Sequence, residues 1–248
     1  MSQVKVVLPN QPAEAQNLWI EQKTGVIGPP GIGKSEFFSH NPKTLYLQCE
    51  AGLGHLKVMK VPVRSWAEWE GTWTALSQAN QAGNFPYDTI VVDTIDRFVD
   101  YANEETCERG RTKYKSAEIN VVGDIPNGAG WAWSTDLVMN ALGKLETLPA
   151  HIVYIGHLDR KEIKQPNQVS VHLQTISIGG KTGRELVAWP DHLLNIQTSL
   201  GSTNQKRVVK TIPTSTLEAK SRGGVVKNDW EWSASSKENW EKFRSLFQ

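Results

Sequence analysis

The run Gly-Pro-Pro-Gly-Ile-Gly-Lys-Ser at residues 28–35 constrains the fold of this 248-residue chain more than any other segment. It matches G-x-x-x-x-G-K-[ST] at every fixed position, a pattern typical of a loop that wraps a phosphate group. The flanks agree, because residues 24–27 suit a short strand and residues 36–38 continue helically. The sequence therefore predicts a strand, a phosphate-binding loop and a helix, in that order.

Each residue type in this loop has a physical role. Glycines let the backbone curl so that its N–H groups face an anion. Lys34 can reach the β- and γ-phosphates of a nucleotide, and the Ser35 hydroxyl can bind Mg²⁺. The helix that begins near Ser35 directs its positive end at the same anion. We expect ATP and Mg²⁺ as cofactors, with nucleotide contacts from Gly28, Pro29, Pro30, Gly31, Ile32, Gly33, Lys34, Ser35 and Glu36.

Composition argues against several other classes of protein. The formal net charge is only +1, so a nucleic-acid site must be a local patch. Cys49 and Cys107 lie far apart and match no metal-ligand spacing, which favours a reduced compartment. The first residues lack the apolar run of a signal peptide, and no run approaches the length of a membrane span. We therefore expect a cytoplasmic protein without a membrane partner.

Short apolar segments alternate with helical patterns along the chain. Strands are predicted at 44–49, 89–92, 151–156, 192–198 and 207–212, and helices at 65–79, 95–109, 133–148 and 236–247. Trp66, Trp69 and Trp73 fall on one helical face, which predicts a buried stripe. The alternation predicts an α/β fold with a mostly parallel sheet, helices on both faces and a late antiparallel hairpin. We divide the chain into a lead-in (1–22), one core (23–226) and a C-terminal tail with a short helix (227–248).

Two carboxylates are candidates for the chemistry that follows phosphate binding. Asp93 ends the apolar strand 89–92, so the sheet would hold it beside the loop, where it can bind the metal ion with Ser35. Glu50 follows the strand 44–49 and is placed to reach the γ-phosphate side. AAA+ ATPases carry a glutamate directly after the strand-end aspartate. This chain has Thr94 there, which argues against that group.

Glu50 after the second strand and Val91-Val92-Asp93-Thr94 together resemble the RecA/KaiC/DnaB group of ATPases. Residues 23–226 look most like phage-encoded RecA/KaiC-like proteins, the minimal recombinase and single-strand-annealing ATPases. The resemblance implies a RecA-like P-loop NTPase core in the cytoplasm of a bacterial host, with Glu50 as the catalytic base. It also implies that His157, after the strand that follows Asp93, senses the γ-phosphate.

The segment 217–224 is similar to the K-x-R-x-G element that follows the late strands in RadA-, KaiC- and DnaB-like proteins. In those proteins the lysine and arginine reach the γ-phosphate held by the adjacent subunit. The resemblance therefore implies that Lys220 and Arg222 complete a neighbour's catalytic site. It implies a ring or filament of identical subunits with shared active sites, in which a trans arginine can contribute several orders of magnitude to hydrolysis.

Two stretches, 109–131 and 160–184, depart from the strand–helix pattern. We predict a long surface loop for the first and a hairpin for the second, and the resemblance implies that both line single-stranded DNA. Cationic side chains would meet phosphates, and aromatic ones would stack on bases. The candidates are Arg111, Lys113, Tyr114, Lys115, Trp131, Lys161, Lys164, Lys181 and Arg184. Inward packing is the alternative for Trp131 and its neighbour Trp133.

These features predict an Mg²⁺-dependent ATPase that acts on single-stranded DNA in phage-type recombination or strand annealing. A single-stranded-DNA-binding protein would be a further partner in that role. Two alternatives stay open: a helicase- or loader-like DNA motor, and a KaiC-like nucleotide switch or scaffold without DNA binding. A small-molecule kinase also uses the phosphate loop, but Glu50 and the pair Lys220 and Arg222 would then be coincidences.

Overall fold

A ten-stranded sheet forms the centre of the computed structural model, which describes residues 10–12, 16–164, 170–198 and 206–248. The strands are β1 (Lys23–Gly28), β2 (Thr44–Gln48), β3 (Met59–Pro62), β4 (Thr89–Asp93), β5 (His151–Lys164), β6 (Ser170–Ile176), β7 (His192–Thr198), β8 (Arg207–Lys210), β9 (Lys220–Ser221) and β10 (Trp230–Trp232). The α-helices are α1 (Lys34–Ser39), α2 (Trp66–Gln81), α3 (Ile95–Tyr114), α4 (Ala129–Leu145), α5 (Gly180–Ala188) and α6 (Ser236–Arg244).

Parallel strands make up most of the sheet. Its order is β10-β8-β7-β1-β5-β4-β2-β3, with β6 paired to β5 and β9 to β7 off this path. The neighbours from β3 through β7 are parallel, whereas β8 and β10 continue the sheet in antiparallel pairing. The predicted parallel sheet with a late antiparallel hairpin is confirmed. Because β1, β2, β4 and β5 are parallel, the residues that follow them meet at one edge of the sheet.

Helices cover both faces of the sheet, as predicted. The core on one face includes Phe98 of α3 and the tryptophan stripe of α2, in which Trp66 and Trp69 are buried and Trp73 packs against the same cluster. The other face is closed by α1 and α6 around Phe37. A fully buried side chain of this size contributes roughly 1.5–3 kcal/mol to folding. Among the described helices, none is long and apolar enough to cross a membrane.

The segment between α3 and α4 is not the long surface loop that its composition predicts. Helix α3 continues to Tyr114 and α4 begins at Ala129, with two short 3-10 turns between them. Ile119 and Val122 of this segment are buried in a small core of their own. Gly130 permits this packing, because a Cβ atom there would lie 2.1 Å from the carbonyl oxygen of Val122. In this segment, therefore, glycine allows close packing of a compact structure and does not indicate an open loop.

The second unusual stretch is a hairpin over part of its length. The sequence predicts that β5 ends before His157. The strand instead continues to Lys164, and its second half pairs antiparallel with β6. The residues after β6 form α5, so Lys181 and Arg184 lie on a helix rather than in the hairpin. The buried hydroxyl of Thr182 ties α5 to α4. Gly179 and Gly180 disfavour a helix in the sequence pattern, which is why this helix was not predicted.

Both ends of the described chain pack onto the α1 face. Strand β10 pairs with β8, and α6 lies against α1. Trp19 is buried, and its ring centroid lies 5.3 Å from that of Trp240 and 5.9 Å from that of Phe243. Its Nε1 donates a hydrogen bond of 2.9 Å to the hydroxyl of Thr89, at the start of β4. The described part of the lead-in and the C-terminal tail therefore pack against the face of the sheet that α1 covers.

Candidate nucleotide-binding site

The phosphate loop connects the carboxyl end of β1 to α1. Gly31 and Gly33 have φ angles of 72° and 103°, a left-handed backbone that residues with a Cβ atom rarely adopt. Gly33 directly precedes α1, and its carbonyl oxygen accepts a hydrogen bond from the N–H of Phe37 at 3.1 Å. The curvature of the loop therefore requires glycine at these positions.

Lys34 is buried at the start of α1 although it carries a charge. Its Nζ donates to the carbonyl oxygen of Gly28 at 2.8 Å and to that of Pro29 at 2.9 Å. Burial lowers the pKa of Lys34, and nearby carboxylates, Asp93 foremost, act in the opposite direction. An ammonium group held by two neutral carbonyls is well placed to exchange them for phosphate oxygens.

Asp93 and Ser35 form a pair of oxygen ligands suited to Mg²⁺. Asp93 is only 5% exposed and accepts a hydrogen bond from the Ser35 hydroxyl. Burial is the main cause that raises the pKa of Asp93, and Glu50 adds to it, whereas Ser35, Lys34 and His157 lower it. A buried carboxylate whose charge is disfavoured fits a bound cation, because the cation would compensate that charge.

Glu50 lies beside Asp93 although the two residues follow different strands. Strands β2 and β4 are neighbours, with Gln48 opposite Asp93. The N–H of Cys49 donates to the carbonyl oxygen of Asp93 at 2.7 Å. The Thr94 hydroxyl donates to Oε2 of Glu50 at 3.1 Å. Thr94 therefore orients a carboxylate that comes from the adjacent strand.

His157 is connected to α3 through Asp96. The backbone N–H of His157 donates to Oδ2 of Asp96 at 3.0 Å, and its Nδ1 lies 3.3 Å from the same oxygen. The other carboxylate oxygen accepts a hydrogen bond from the hydroxyl of Ser177, which follows β6. Asp96 therefore joins the end of the phosphate pocket to the segment that leads into α5. Sequence patterns do not predict these roles of Asp96 and Ser177, because His157 lies 61 residues from Asp96 and Ser177 lies 81 residues from it.

These groups surround one cavity of about 310 Å³. Among the predicted site residues, its walls include Pro30, Gly31, Gly33, Lys34, Ser35, Glu36, Glu50, Asp93 and His157. Gly28, Pro29 and Ile32 belong to the same loop. Leu53 and His55, from the short 3-10 helix after β2, close a further side that the sequence did not predict. The structure therefore brings together the loop, both carboxylates and the histidine.

No group of three or more His, Cys, Asp and Glu side chains within the described ranges could hold a metal ion alone. Mg²⁺ commonly takes one or two protein carboxylates and completes its shell with phosphate oxygens and water. Ser35 and Asp93 fit that kind of site, in which the nucleotide supplies part of the ligand set.

Lys220 and Arg222 do not reach this cavity within one chain. Strand β9 pairs with the first residues of β7. Both side chains therefore lie near the amino ends of the parallel strands, at the edge of the sheet opposite the phosphate loop. Nζ of Lys220 donates to the carbonyl oxygen of Ala188 at 2.6 Å. Nη1 of Arg222 lies 2.7 Å from Oδ1 of Asp191, and the Arg222 side chain is 64% exposed. Neither side chain can therefore contact a nucleotide held by its own loop.

Four of the DNA-binding candidates lie at the carboxyl end of α3. Tyr114 stacks on the ring of Trp133 with centroids 6.3 Å apart, and Nζ of Lys113 lies 4.4 Å from the centroid of the same ring. Arg111 donates to a backbone carbonyl oxygen of the following turn at 2.6 Å. Lys115 ends the helix and is exposed. Trp133 thus packs within the protein, which is the inward alternative stated for it.

Trp131 and Lys181 border a second cavity, of about 710 Å³, between α3, α4 and α5. Trp131 is 58% exposed, so the inward alternative does not apply to it. Asp96 and Ser177 line the same cavity. Arg184 lies exposed on α5. One wall of this cavity is therefore shared with the residues that hold His157.

The two candidates of the hairpin have different positions. The ammonium group of Lys161 already has partners within the protein. Its Nζ donates to the carbonyl oxygens of Ile176 at 3.0 Å and Ile178 at 2.8 Å. It ties β5 to the segment after β6. Lys164 lies at the end of β5, and its side chain is outside the described part of the structure.

Comparisons with known proteins agree with a nucleotide site of this kind. Residues 20–223 match the model of a family described as an AAA domain. A curated relative is the SPbeta prophage-derived uncharacterized protein YorG of Bacillus subtilis (strain 168). The two are 27% identical over 134 residues, which cover 53% of this chain and 39% of the relative.

One expectation stays a prediction. Thr94 in place of a glutamate disfavours an AAA+ protein, and the matching family is described only as an AAA domain. In the structure Glu50 reaches the side of Asp93 from the neighbouring strand, and Thr94 holds it there at 3.1 Å. The match covers the phosphate loop, both carboxylates and His157. The chain therefore belongs to this AAA-domain family of P-loop ATPases, enzymes that hydrolyse nucleoside triphosphates.

Proposed function

We propose that the protein is a RecA-like ATPase that uses ATP and Mg²⁺ and acts on single-stranded DNA in phage-type recombination or strand annealing. Lys34 and the loop N–H groups would bind the phosphates, and Ser35 and Asp93 would hold the metal ion. Glu50 would accept the proton of the attacking water. Mg²⁺, when bound, supplies positive charge against the phosphate oxygens.

The position of Glu50 supports the RecA-like assignment. Its carboxylate follows β2, and Thr94, directly after Asp93, holds it at 3.1 Å. The sheet also extends beyond β7 through antiparallel β8 and β10. The first of these features belongs to the resemblance to the RecA/KaiC/DnaB group.

Asp96 is the observation that carries the proposal of a nucleotide-dependent action on another molecule. One of its carboxylate oxygens holds His157 at the nucleotide cavity, and the other holds Ser177 at the second cavity. A change at the γ-phosphate that moves His157 would therefore also change the hydrogen bond of Ser177, because both residues bind the same carboxylate of Asp96. Two sites that share a hydrogen-bonded group in this way are coupled when that group has two arrangements.

The second cavity and the adjacent end of α3 support single-stranded DNA as the bound molecule. Trp131 presents an exposed ring at the cavity, and Lys181 adds a positive charge beside it. Nearby, at the carboxyl end of α3, the ring of Tyr114 is 38% exposed, and Lys113 and Lys115 are exposed beside it. Aromatic platforms beside cationic side chains bind single strands with little sequence preference.

The source of the relative supports a phage setting, because YorG is described as prophage-derived. Recombination and annealing bring a single-stranded-DNA-binding protein to the same strand, and we include such a protein as a partner in the proposal. Shared active sites in a ring or filament are part of it too. Arg222 is exposed and far from its own loop, which supports a role at a neighbour's nucleotide.

The test is ATP hydrolysis and strand binding, measured with and without single-stranded DNA at several salt concentrations. We expect binding that weakens steeply with salt and hydrolysis that rises when DNA is added. The double variant Trp131→Ala and Lys181→Ala should lose about tenfold or more in DNA affinity, because one stacked base contributes about 1–3 kcal/mol. Lys237→Ala, an exposed position on α6, is the matched control.

Each alternative function has its own result in these assays. Absence of DNA binding at low salt, with hydrolysis intact, would refute the DNA proposal and favour a nucleotide switch or scaffold. ATP-driven separation of a duplex would favour a helicase- or loader-like motor over annealing. Wild-type affinity in the double variant would move the DNA site away from the second cavity.

A further inference from the structure

Arg207 contacts the phosphate loop from a distant part of the chain. It begins β8, and its Nη1 donates to the carbonyl oxygen of Ile32 at 3.1 Å, across 175 residues of sequence. The same nitrogen would lie 3.7 Å from a Cβ atom on Gly33. The guanidinium group therefore sits against the Ile32–Gly33 peptide of the loop.

The direction of one peptide group follows from this contact. In a planar trans peptide the C=O and the N–H point to opposite sides. Because Arg207 holds the Ile32 carbonyl oxygen on its own side, the N–H of Gly33 must point away from Arg207. Gly33 borders the nucleotide cavity, so an N–H with this orientation can serve as a phosphate donor.

The loop itself does not determine this orientation. Gly31 and Gly33 both have left-handed φ angles, and glycine adopts φ values of either sign at little cost. The direction of the Ile32–Gly33 peptide changes with the φ angle of Gly33, so a contact from outside the loop can fix it. Arg207 comes from the sheet, and the Trp232 ring of β10 lies 3.8 Å from the Cβ position of Gly33 on the same side. Two side chains from strands of the sheet therefore contact this part of the loop, and rigid strands can hold such contacts in place.

We propose that Arg207 is a positioning residue of the nucleotide site, which holds the Ile32–Gly33 peptide so that the Gly33 N–H faces the phosphates. This inference rests on the proposed nucleotide binding. It gives the antiparallel strands β8 and β10 a role in phosphate recognition within the same subunit, separate from any contribution by Arg222 to a neighbour.

The test compares Arg207→Ala and Arg207→Lys with the control Lys206→Ala. Lys206 is the preceding residue, exposed and paired with Glu231 at 3.1 Å, so its loss removes a charge of the same sign from the adjacent position. Dissociation constants are measured for ATP, ADP, pyrophosphate and adenosine, and melting temperature is measured without ligand. A ¹⁵N-labelled sample reports the shift of the Gly33 amide when pyrophosphate binds.

We expect Arg207→Ala to weaken ATP, ADP and pyrophosphate about tenfold or more, the usual effect of losing a hydrogen bond from a charged donor. Adenosine affinity and the melting temperature should stay near wild type, and the Gly33 amide shift should shrink. Arg207→Lys should recover part of the affinity, and Lys206→Ala should bind as wild type does.

Unchanged phosphate affinity in Arg207→Ala would overturn the proposal. So would an equal loss for adenosine together with a lower melting temperature, because that result describes a general structural role. If wild-type protein binds neither ATP nor pyrophosphate, the proposed nucleotide function fails first, and the role of Arg207 fails with it.

Discussion

At the scale of the residue, the nucleotide site keeps charges where folding alone would not place them. Lys34 and Asp93 are both buried, and burial disfavours the charged form of each, lowering the pKa of Lys34 and raising that of Asp93. The Ser35 hydroxyl and the Lys34 ammonium only partly compensate Asp93. The free protein therefore holds a destabilised carboxylate that a bound cation would satisfy, a trade of stability for function.

Replacing Asp93 by asparagine tests this trade. The pKa of Asp93 is higher in the folded than in the unfolded chain, so the folded state binds more protons between the two values. Stability therefore falls as the pH rises through that window, and the cost is fully present only above the folded-state pKa. We expect Asp93→Asn to raise the melting temperature by a few degrees at pH 7.5, with a gain that shrinks as the pH falls toward 4. Hydrolysis should fall about a hundredfold or more.

The melting temperatures come from calorimetry across pH, and the rates from phosphate release. Asp136→Asn, at an exposed position of α4, is the matched control and should change neither quantity. A lower melting temperature for Asp93→Asn at pH 7.5 would contradict the burial argument, and full turnover would remove Asp93 from the site.

At the scale of the element, the connection from α3 to α4 shows how a polar composition can encode tight packing. Its apolar side chains form a small core with Cys107, and the first turn of α4 lies against the backbone of that core. This packing fixes where α4 begins. It therefore also sets the position of Trp131, which projects from the same turn toward the second cavity.

Two glycines of α4 give opposite predictions for the same substitution. A Cβ atom on Gly130 would lie 2.1 Å from the carbonyl oxygen of Val122, so Gly130→Ala must displace backbone and should cost about 1–3 kcal/mol. Gly143 has no neighbour within 4 Å of its Cβ position. Gly143→Ala should therefore stabilise the helix by up to about 1 kcal/mol. Urea denaturation of both variants checks the pair, and equal effects would disprove the packing account.

At the scale of the whole molecule, the predicted catalytic residues lie at two opposite edges of the parallel sheet, formed by the carboxyl and the amino ends of its strands. The loop after β1, Glu50 after β2, Asp93 at the end of β4 and His157 within β5 build the nucleotide cavity at the carboxyl edge. Lys220 and Arg222 lie near the opposite edge, at the beginning of β7. A head-to-tail arrangement of subunits would bring the second edge of one chain to the first edge of the next. Such heterologous contacts generate rings or filaments.

Mixing two inactive variants tests that arrangement. Arg222→Ala keeps its own cavity but cannot serve a neighbour, whereas Glu50→Ala has the reverse defect. We expect each alone to lose hydrolysis. An equal mixture should regain about a quarter of wild-type activity per subunit, because half of the intact cavities meet an intact arginine in a random ring or filament. Hydrolysis by the mixture and by each variant alone is compared at equal protein concentration.

Lys237→Ala, an exposed position on α6, replaces Arg222→Ala in the control mixture. The control variant should be active alone. Its equal mixture with Glu50→Ala should show about half of wild-type activity per subunit, because half of the subunits carry an intact cavity. Mixtures of Arg222→Ala and Glu50→Ala that stay inactive would contradict a shared site.

Local sequence alone determined the phosphate loop, the strands on either side of it and the alternation that makes a parallel sheet. Those features depend on short-range rules: left-handed φ angles need glycine, apolar runs form buried strands, and a helix follows at a fixed spacing. Asp93 was predictable for the same reason, since it ends such a strand, and so was the buried face of α2.

Only the tertiary structure decided which distant groups complete the site. Thr94 holds Glu50 from 44 residues away, Asp96 joins His157 to Ser177, and Arg207 reaches the loop across 175 residues. Local composition also misrepresented the segment after α3, where glycine permits close packing instead of an open loop. These contacts depend on strand order and register, and those are set by the packing of the whole sheet rather than by any one segment.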